Sequence, residues 1–176
     1  MANFLTCIRL LLVVPVGWAF AFPEFITAQL LLVLIITAIV TDYFDGKVAR
    51  ATKTDTAGGQ LFDHSTDFLF VTSGLSGAAV AGLISPILPL LITIAFSQYI
   101  LDSYFLFHQK QLRMSFLGRW NGIFYFAPLI LISVYRLRLL ADFQENMESI
   151  IDIVNYLLII STIASIIDRA LAPLRK

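Results

Sequence analysis

The chain has 176 residues, of which 59% are hydrophobic and 14% charged, with a formal net charge of +0. Soluble chains are about 45–50% apolar and about 25% charged, so a mean hydropathy of +0.85 points to lipid as the solvent. Zero net charge gives no basic field for nucleic acid, and Cys7, the single cysteine, cannot close an internal disulfide.

A hydrocarbon layer of ~30 Å at 1.5 Å rise per residue asks for ~20 mostly apolar residues per crossing. Six such runs follow one another, which predicts an all-α integral membrane protein with six transmembrane helices in one domain, 1–176. The first covers about 4–22. Arg9, an apolar stretch and the Ala19-Phe20-Ala21 triplet imitate a signal peptide. Arg9 sits deep in the run, however, Pro15 and Trp18 interrupt it, and the chain beyond is equally apolar, so an uncleaved helix is the simpler account. The second run covers about 25–49. The third extends from near Gly59 to about Leu83, and Gly58 before it reads as a turn. Its Ser73, Gly74, Ser76, Gly77, Ala78 and Gly82 are small enough for close helix packing in lipid. Pro86 and Pro89 open the fourth run, which ends near His108. The fifth spans about 116–140 and the sixth about 149–171.

With the N-terminus in the cytoplasm, Arg9, Lys47, Arg50, Lys53, Lys110, Arg113, Arg119, Arg169, Arg175 and Lys176 fall on or near the cytoplasmic side, leaving Arg136 and Arg138 opposite. That asymmetry predicts cytoplasmic N- and C-termini.

The stretch from Thr41 to Asp67 carries four acids in two pairs. Asp42 and Asp45 stand at i,i+3 and Asp63 and Asp67 at i,i+4, so each pair shares a helix face. One pair closes an apolar run and the other opens the next, and a short cytoplasmic turn would bring them together. Carboxylates at mid-bilayer cost ~2.5–3.5 kcal/mol each on insertion scales, less near the interface, and four of them repel one another. Hard divalent cations relieve both problems, because carboxylate oxygens are what Mg²⁺ prefers and the metal keeps substrate phosphate in its shell. Ordinary loop acids would instead pair with Lys47, Arg50 and Lys53, which is the reading for Asp55. Gly46 lets a ligand approach the backbone, and Arg50 can fork onto phosphate oxygens.

Asp42, Asp45, Gly46, Ala49, Arg50, Gly59, Asp63 and Asp67 fill the pattern D-x2-D-G-x2-A-R-x8-G-x3-D-x3-D. The chain therefore resembles the CDP-alcohol phosphatidyltransferase family. Asn3, Thr6, Arg9 and Pro15 are similar to the first-helix pattern of its short bacterial members, with the proline one residue late. The resemblance implies transfer of a phosphatidyl group from a CDP-linked lipid, usually CDP-diacylglycerol, to a small alcohol, with release of CMP. It implies two divalent ions (Mg²⁺ or Mn²⁺) on Asp42, Asp45, Asp63 and Asp67, with Asp67 as the base; a water or substrate phosphate is the alternative base. It also places Gly46, Ala49, Arg50 and Gly59 against the CDP part. A homodimer in the bacterial inner membrane is expected, its site facing the cytoplasm.

Length and first-helix pattern resemble phosphatidylglycerophosphate synthases, whose acceptor is glycerol 3-phosphate. Arg113 and Arg119, before and in the fifth run, are candidates for the acceptor phosphate or else topology determinants. His64 and Phe68 stand where those synthases read Pro and Lys, which leaves inositol phosphate, serine or another acceptor open. His64 lies between two proposed ligands and would touch metal or substrate, or only support them. A prenyltransferase-like diphosphate enzyme and a non-catalytic metal-binding membrane protein are the remote alternatives. The first lacks the Asp-Gly-x2-Ala-Arg segment, and the second, read as a metal-ion carrier or channel, needs a path of polar residues across the bilayer, whereas these acids cluster on one side. Asp102 is read as an interfacial or bundle-facing acid paired with a nearby cation.

Overall fold

The computed structural model describes residues 2–51, 56–102, 116–138 and 144–171, with the side chains at 2–4, 45, 46, 48–51, 57, 144 and 145 left undescribed. Within the described residues the protein is all-helical: α1 (Ala2–Ala21), α2 (Ala28–Ala51), α3 (Ala57–Val80), α4 (Ile87–Leu101), α5 (Phe116–Phe124), α6 (Phe126–Arg136) and α7 (Gln144–Leu171). By length and composition, Phe116–Arg136 and Asn146–Leu171 can each cross a membrane, whereas Leu5–Ala21, Ala28–Phe44 and Ile87–Leu101 are shorter apolar helices.

Several helix ends differ from expectation for identifiable reasons. Gly58 is no turn; it lies in the first turn of α3, because Thr56 caps that helix and its Oγ1 accepts from the Gly59 N–H at 3.1 Å. At the other end Gly82 takes φ +74°. Leu83 N–H donates to Ala78 O and Gly82 N–H to Ala79 O, both at 3.0 Å, so a Schellman motif stops α3 at Val80. The fifth run is broken at Tyr125 into α5 and α6. Pro128 lacks the N–H that would bond Phe124 O, and its ring crowds that carbonyl. Pro15, by contrast, is absorbed within an unbroken α1. The sixth run starts at Gln144, earlier than expected. The fourth is described to Asp102, so its expected end at His108 lies outside the described residues.

Large apolar side chains face outward: Leu11, Val14, Val80, Leu90, Ile123 and Ile160 are exposed. Thr6, Arg9, Thr66, Asn121, Ser133, Asn155 and Thr162 are buried instead. The core itself is apolar, built on Phe20, Leu31, Phe70, Leu75, Leu88 and Leu129, so apolar side chains lie both inside and outside, which suits a bundle whose outside is lipid. Some of the buried polar groups pair with one another. Ser161 donates to Asn121 Oδ1 at 2.6 Å, and the Tyr125 and Thr162 hydroxyls lie 2.9 Å apart.

The tightest packing is between α1 and α3. A Cβ on Gly77 would lie 2.1 Å from the Gly17 carbonyl oxygen, and one on Gly17 would lie 2.2 Å from Ser73 Oγ. Ser73 donates to Val13 O at 2.8 Å. Gly74, Gly77 and Ala78 are buried as helix-packing residues, while Ser76 is exposed. The contacts Thr6–Asp63, Arg9–Asp67 and Val13–Ser73 advance together along both chains, so the two helices run parallel. Likewise Gln98 donates to Ile166 O and Arg169 to Asp102, which sets α4 parallel to α7. Helices one apart in an alternating membrane bundle run this way. From the end of α6, Arg136 donates to Ala19 O at 2.7 Å and to Phe20 O, and stacks on the Phe20 ring. It thereby satisfies the terminal carbonyls of α1 with a cation at the negative end of that helix.

Candidate metal centre

The parallel α1–α3 contact decides what meets what. Thr6 and Arg9 stand at i,i+3 and share the α1 face toward α3, where Asp63 and Asp67 stand at i,i+4. The end of α2 brings in Asp42. Arg9 is 2% exposed, and its Nη1 donates to Asp42 Oδ1 at 2.8 Å and to Asp67 Oδ1. Asp63 Oδ1 lies 3.7 Å from the same nitrogen and accepts a long bond from Thr6 Oγ1 at 3.4 Å. Oxygens of three carboxylates on two helices thus surround one guanidinium nitrogen.

The cluster is layered. Arg9 forms its buried floor, whereas Asp42, Asp63 and Asp67 keep 34%, 30% and 23% of their side-chain surface, so a solute reaches the acids from the open side. One guanidinium faces three carboxyl groups. Ligand atoms of Asp63, His64 and Asp67 lie within 4.8 Å of one another. Convergent hard oxygens, an excess of acids over cations and an open side fit a divalent cation of the Mg²⁺ or Mn²⁺ kind.

Of the predicted ligands, Asp42, Asp63 and Asp67 come together, and the Asp45 side chain lies outside the described residues. Gly46, Ala49 and Arg50 are on the last turns of α2, their side chains also undescribed. Gly59 is half-buried in the first turn of α3 against the Thr56 cap. Arg113 lies outside the described residues. Arg119 is exposed on α5, and no described contact joins it to the aspartates. Asp102 pairs with Arg169 Nε at 2.9 Å, and the Arg169 guanidinium lies over the Tyr99 ring, as expected for a bundle-facing acid. Arg9 and Thr6 are the site residues that sequence reasoning left without a role. The available signal was the charge itself, since an arginine inside an apolar helix requires a partner.

Among the described residues the protein is all-helical, with an apolar exterior, a few buried polar groups and an acid cluster where α1, α2 and α3 meet. The family model described as CDP-alcohol phosphatidyltransferase matches residues 1–167, and the chain belongs to that family. No curated protein and no solved structure gives a significant match. Members of the family are membrane-integral transferases of phospholipid synthesis that move a phosphatidyl group from a CDP-alcohol lipid to an alcohol, generally with a divalent metal.

Proposed function

We propose that this chain uses the aspartate cluster to transfer a phosphatidyl group from CDP-diacylglycerol to a small alcohol, glycerol 3-phosphate being the leading candidate. The supporting observation is the convergence of Asp42, Asp63 and Asp67 in a chain whose family match covers all eight motif positions. In this reading one domain spans the membrane six times with both termini cytoplasmic. It works as a homodimer in a bacterial cell membrane, its site open to the cytoplasm.

Asp42, Asp45, Asp63 and Asp67 would hold two divalent ions. Bound there, the ions would supply charge neutralisation of the diphosphate and of the departing CMP. Arg50 binds a phosphate of the CDP part as a planar, permanently charged fork. Gly46, Ala49 and Gly59 leave the donor room against the helix backbones. Asp67 takes the proton of the acceptor hydroxyl as that oxygen attacks the phosphorus bearing diacylglycerol. The new P–O bond forms as the bond to CMP breaks. Arg113 and Arg119 hold the acceptor's phosphate.

The test is CMP release by purified protein in detergent, with CDP-diacylglycerol and Mg²⁺. The acceptor panel holds glycerol 3-phosphate, inositol phosphate, serine, glycerol, phosphatidylglycerol and buffer, each with an EDTA control. EDTA-sensitive release with one acceptor supports the reading and names the branch; release unaffected by EDTA removes the metal from it. Arg119→Ala is expected to raise KM for a phosphorylated acceptor roughly 10–100-fold, the worth of a charged hydrogen bond of ~1.5–3 kcal/mol. KM for the CDP-lipid should stay put. An unchanged acceptor KM takes Arg119 out of the pocket.

A further inference from the structure

We propose that Arg9 is a built-in counter-ion that competes with the divalent ions for the aspartate cluster, so that loading the site requires its guanidinium to leave the carboxylates. The inference rests on the reading of these acids as metal ligands, and it concerns what the chain itself does to ion affinity.

Geometry supplies the competition. Arg9 Nη1 engages Oδ1 of Asp42 and of Asp67 and lies 3.7 Å from Oδ1 of Asp63. A cation on these carboxylates would sit about 2.0–2.6 Å from their oxygens and so within a few ångströms of the guanidinium, where the two positive charges repel and compete for the same acids. The guanidinium is also poorly held on its other sides. Arg9 Nε and Nη2 are buried and find no hydrogen-bond partner among the described residues. Burial of donors without acceptors is unfavourable, so among the described residues Arg9 is held through its contacts with the acids.

Moving the backbone instead is costly. The α1–α3 contact at Gly17, Ser73 and Gly77 leaves no room for a Cβ, so sliding α1 to withdraw the charge would break a backbone-to-backbone contact. Release of the cluster therefore falls to the side chain. Arg9 holds together carboxylates of α2 and α3 that would otherwise repel. In the loaded protein the divalent ion takes over that role. Because two ligands that compete do so reciprocally, removing one must raise the affinity for the other.

The experiment is Mn²⁺ binding to purified, substrate-free protein in detergent, followed by the electron paramagnetic resonance of free Mn²⁺, together with thermal unfolding in EDTA and at saturating Mn²⁺. Arg9→Gln is expected to bind Mn²⁺ more tightly than the wild type, by roughly 5–150-fold, the usual span of coupling between sites. It should be less stable than the wild type in EDTA, with the difference closing when Mn²⁺ saturates. A merely structural arginine would lower stability equally in both conditions and leave Mn²⁺ affinity unchanged, and that result overturns the proposal. If Arg9→Gln is recovered only when Mn²⁺ is present, the proposal is supported. If it is recovered in neither condition, Arg9→Met, which removes the charge and keeps an unbranched stem, carries the test: affinity above wild type supports competition, and affinity equal to wild type overturns it. Asp63→Asn separates the two levels. Mn²⁺ binding lost in Asp63→Asn but equal in wild type and Arg9→Gln sinks only the Arg9 proposal. No Mn²⁺ binding to any of the proteins sinks the metal reading and this proposal together.

Discussion

Asp63→Asn is expected to lower phosphatidyl transfer more than ~100-fold while leaving the protein folded. The substitution keeps the shape of the side chain and changes its charge. Mutating groups that merely support a metal ligand typically costs 10–100-fold, so loss of a ligand itself should exceed that range. Folding should not suffer. Of the three described acids around Arg9, Asp63 lies farthest from its Nη1, at 3.7 Å, and Arg9 keeps its contacts with Asp42 and Asp67. Neutralising one of several crowded carboxylates also removes repulsion. The unfolding midpoint in EDTA should therefore stay within ~4 °C of wild type, about 1 kcal/mol on the scale of a chain this long. Transfer rates and melting curves on the same preparation decide the matter. An active Asp63→Asn protein ends the metal role of this residue, and an unfolded one shows that its carboxylate carries structure.

How far the sequence reached depended on the distance over which each signal acts. Asp42 and Asp45, or Asp63 and Asp67, are neighbours within one helix turn, so their pairing and the chemistry of paired acids were legible in spacing alone. The capture of Asp67 by Arg9 was not, because it depends on the register of α1 against α3 across a separation of 58 residues. Part of that register was visible in the small residues of the third run, but nothing local says that Gly77 faces Gly17. Helix ends failed for a similar reason. Gly58 and Gly59 look like a break until Thr56 is seen capping them, whereas Gly82, four residues before Pro86, marks the true stop. The interruption at Tyr125 depends on Pro128 three residues ahead, while Pro15 in α1 makes none. Prolines in apolar helices thus state where a hydrogen bond is missing, and the neighbouring helices decide whether the helix breaks.

Gly77→Leu is expected to destabilise the protein by more than ~3 kcal/mol and to inactivate it, though it lies ten residues from Asp67. The distance along α3 is about 15 Å at 1.5 Å per residue, so the side chain cannot reach the acids. Its effect is on helix register. A Cβ there would lie 2.1 Å from the Gly17 carbonyl oxygen and 3.0 Å from Phe20 Cβ, and a backbone atom has no rotamer with which to retreat. Overpacking in a tight core costs typically 1–3 kcal/mol, occasionally more. A leucine against backbone belongs at or beyond the upper end, because α1 as a whole must move. Any such movement carries Thr6 and Arg9 away from Asp63 and Asp67, so the acid cluster loses its internal cation together with the helix contact. Gly122→Ala is the matched control: a Cβ there meets nothing within 4 Å, so removing unfolded-state freedom should be neutral or stabilising by up to ~1 kcal/mol. Thermal unfolding in detergent with size-exclusion of both variants reads the contrast. A Gly77→Leu protein that melts with the wild type would mean that α1 and α3 do not meet backbone to backbone, and the placement of Arg9 among the aspartates would fall with that contact.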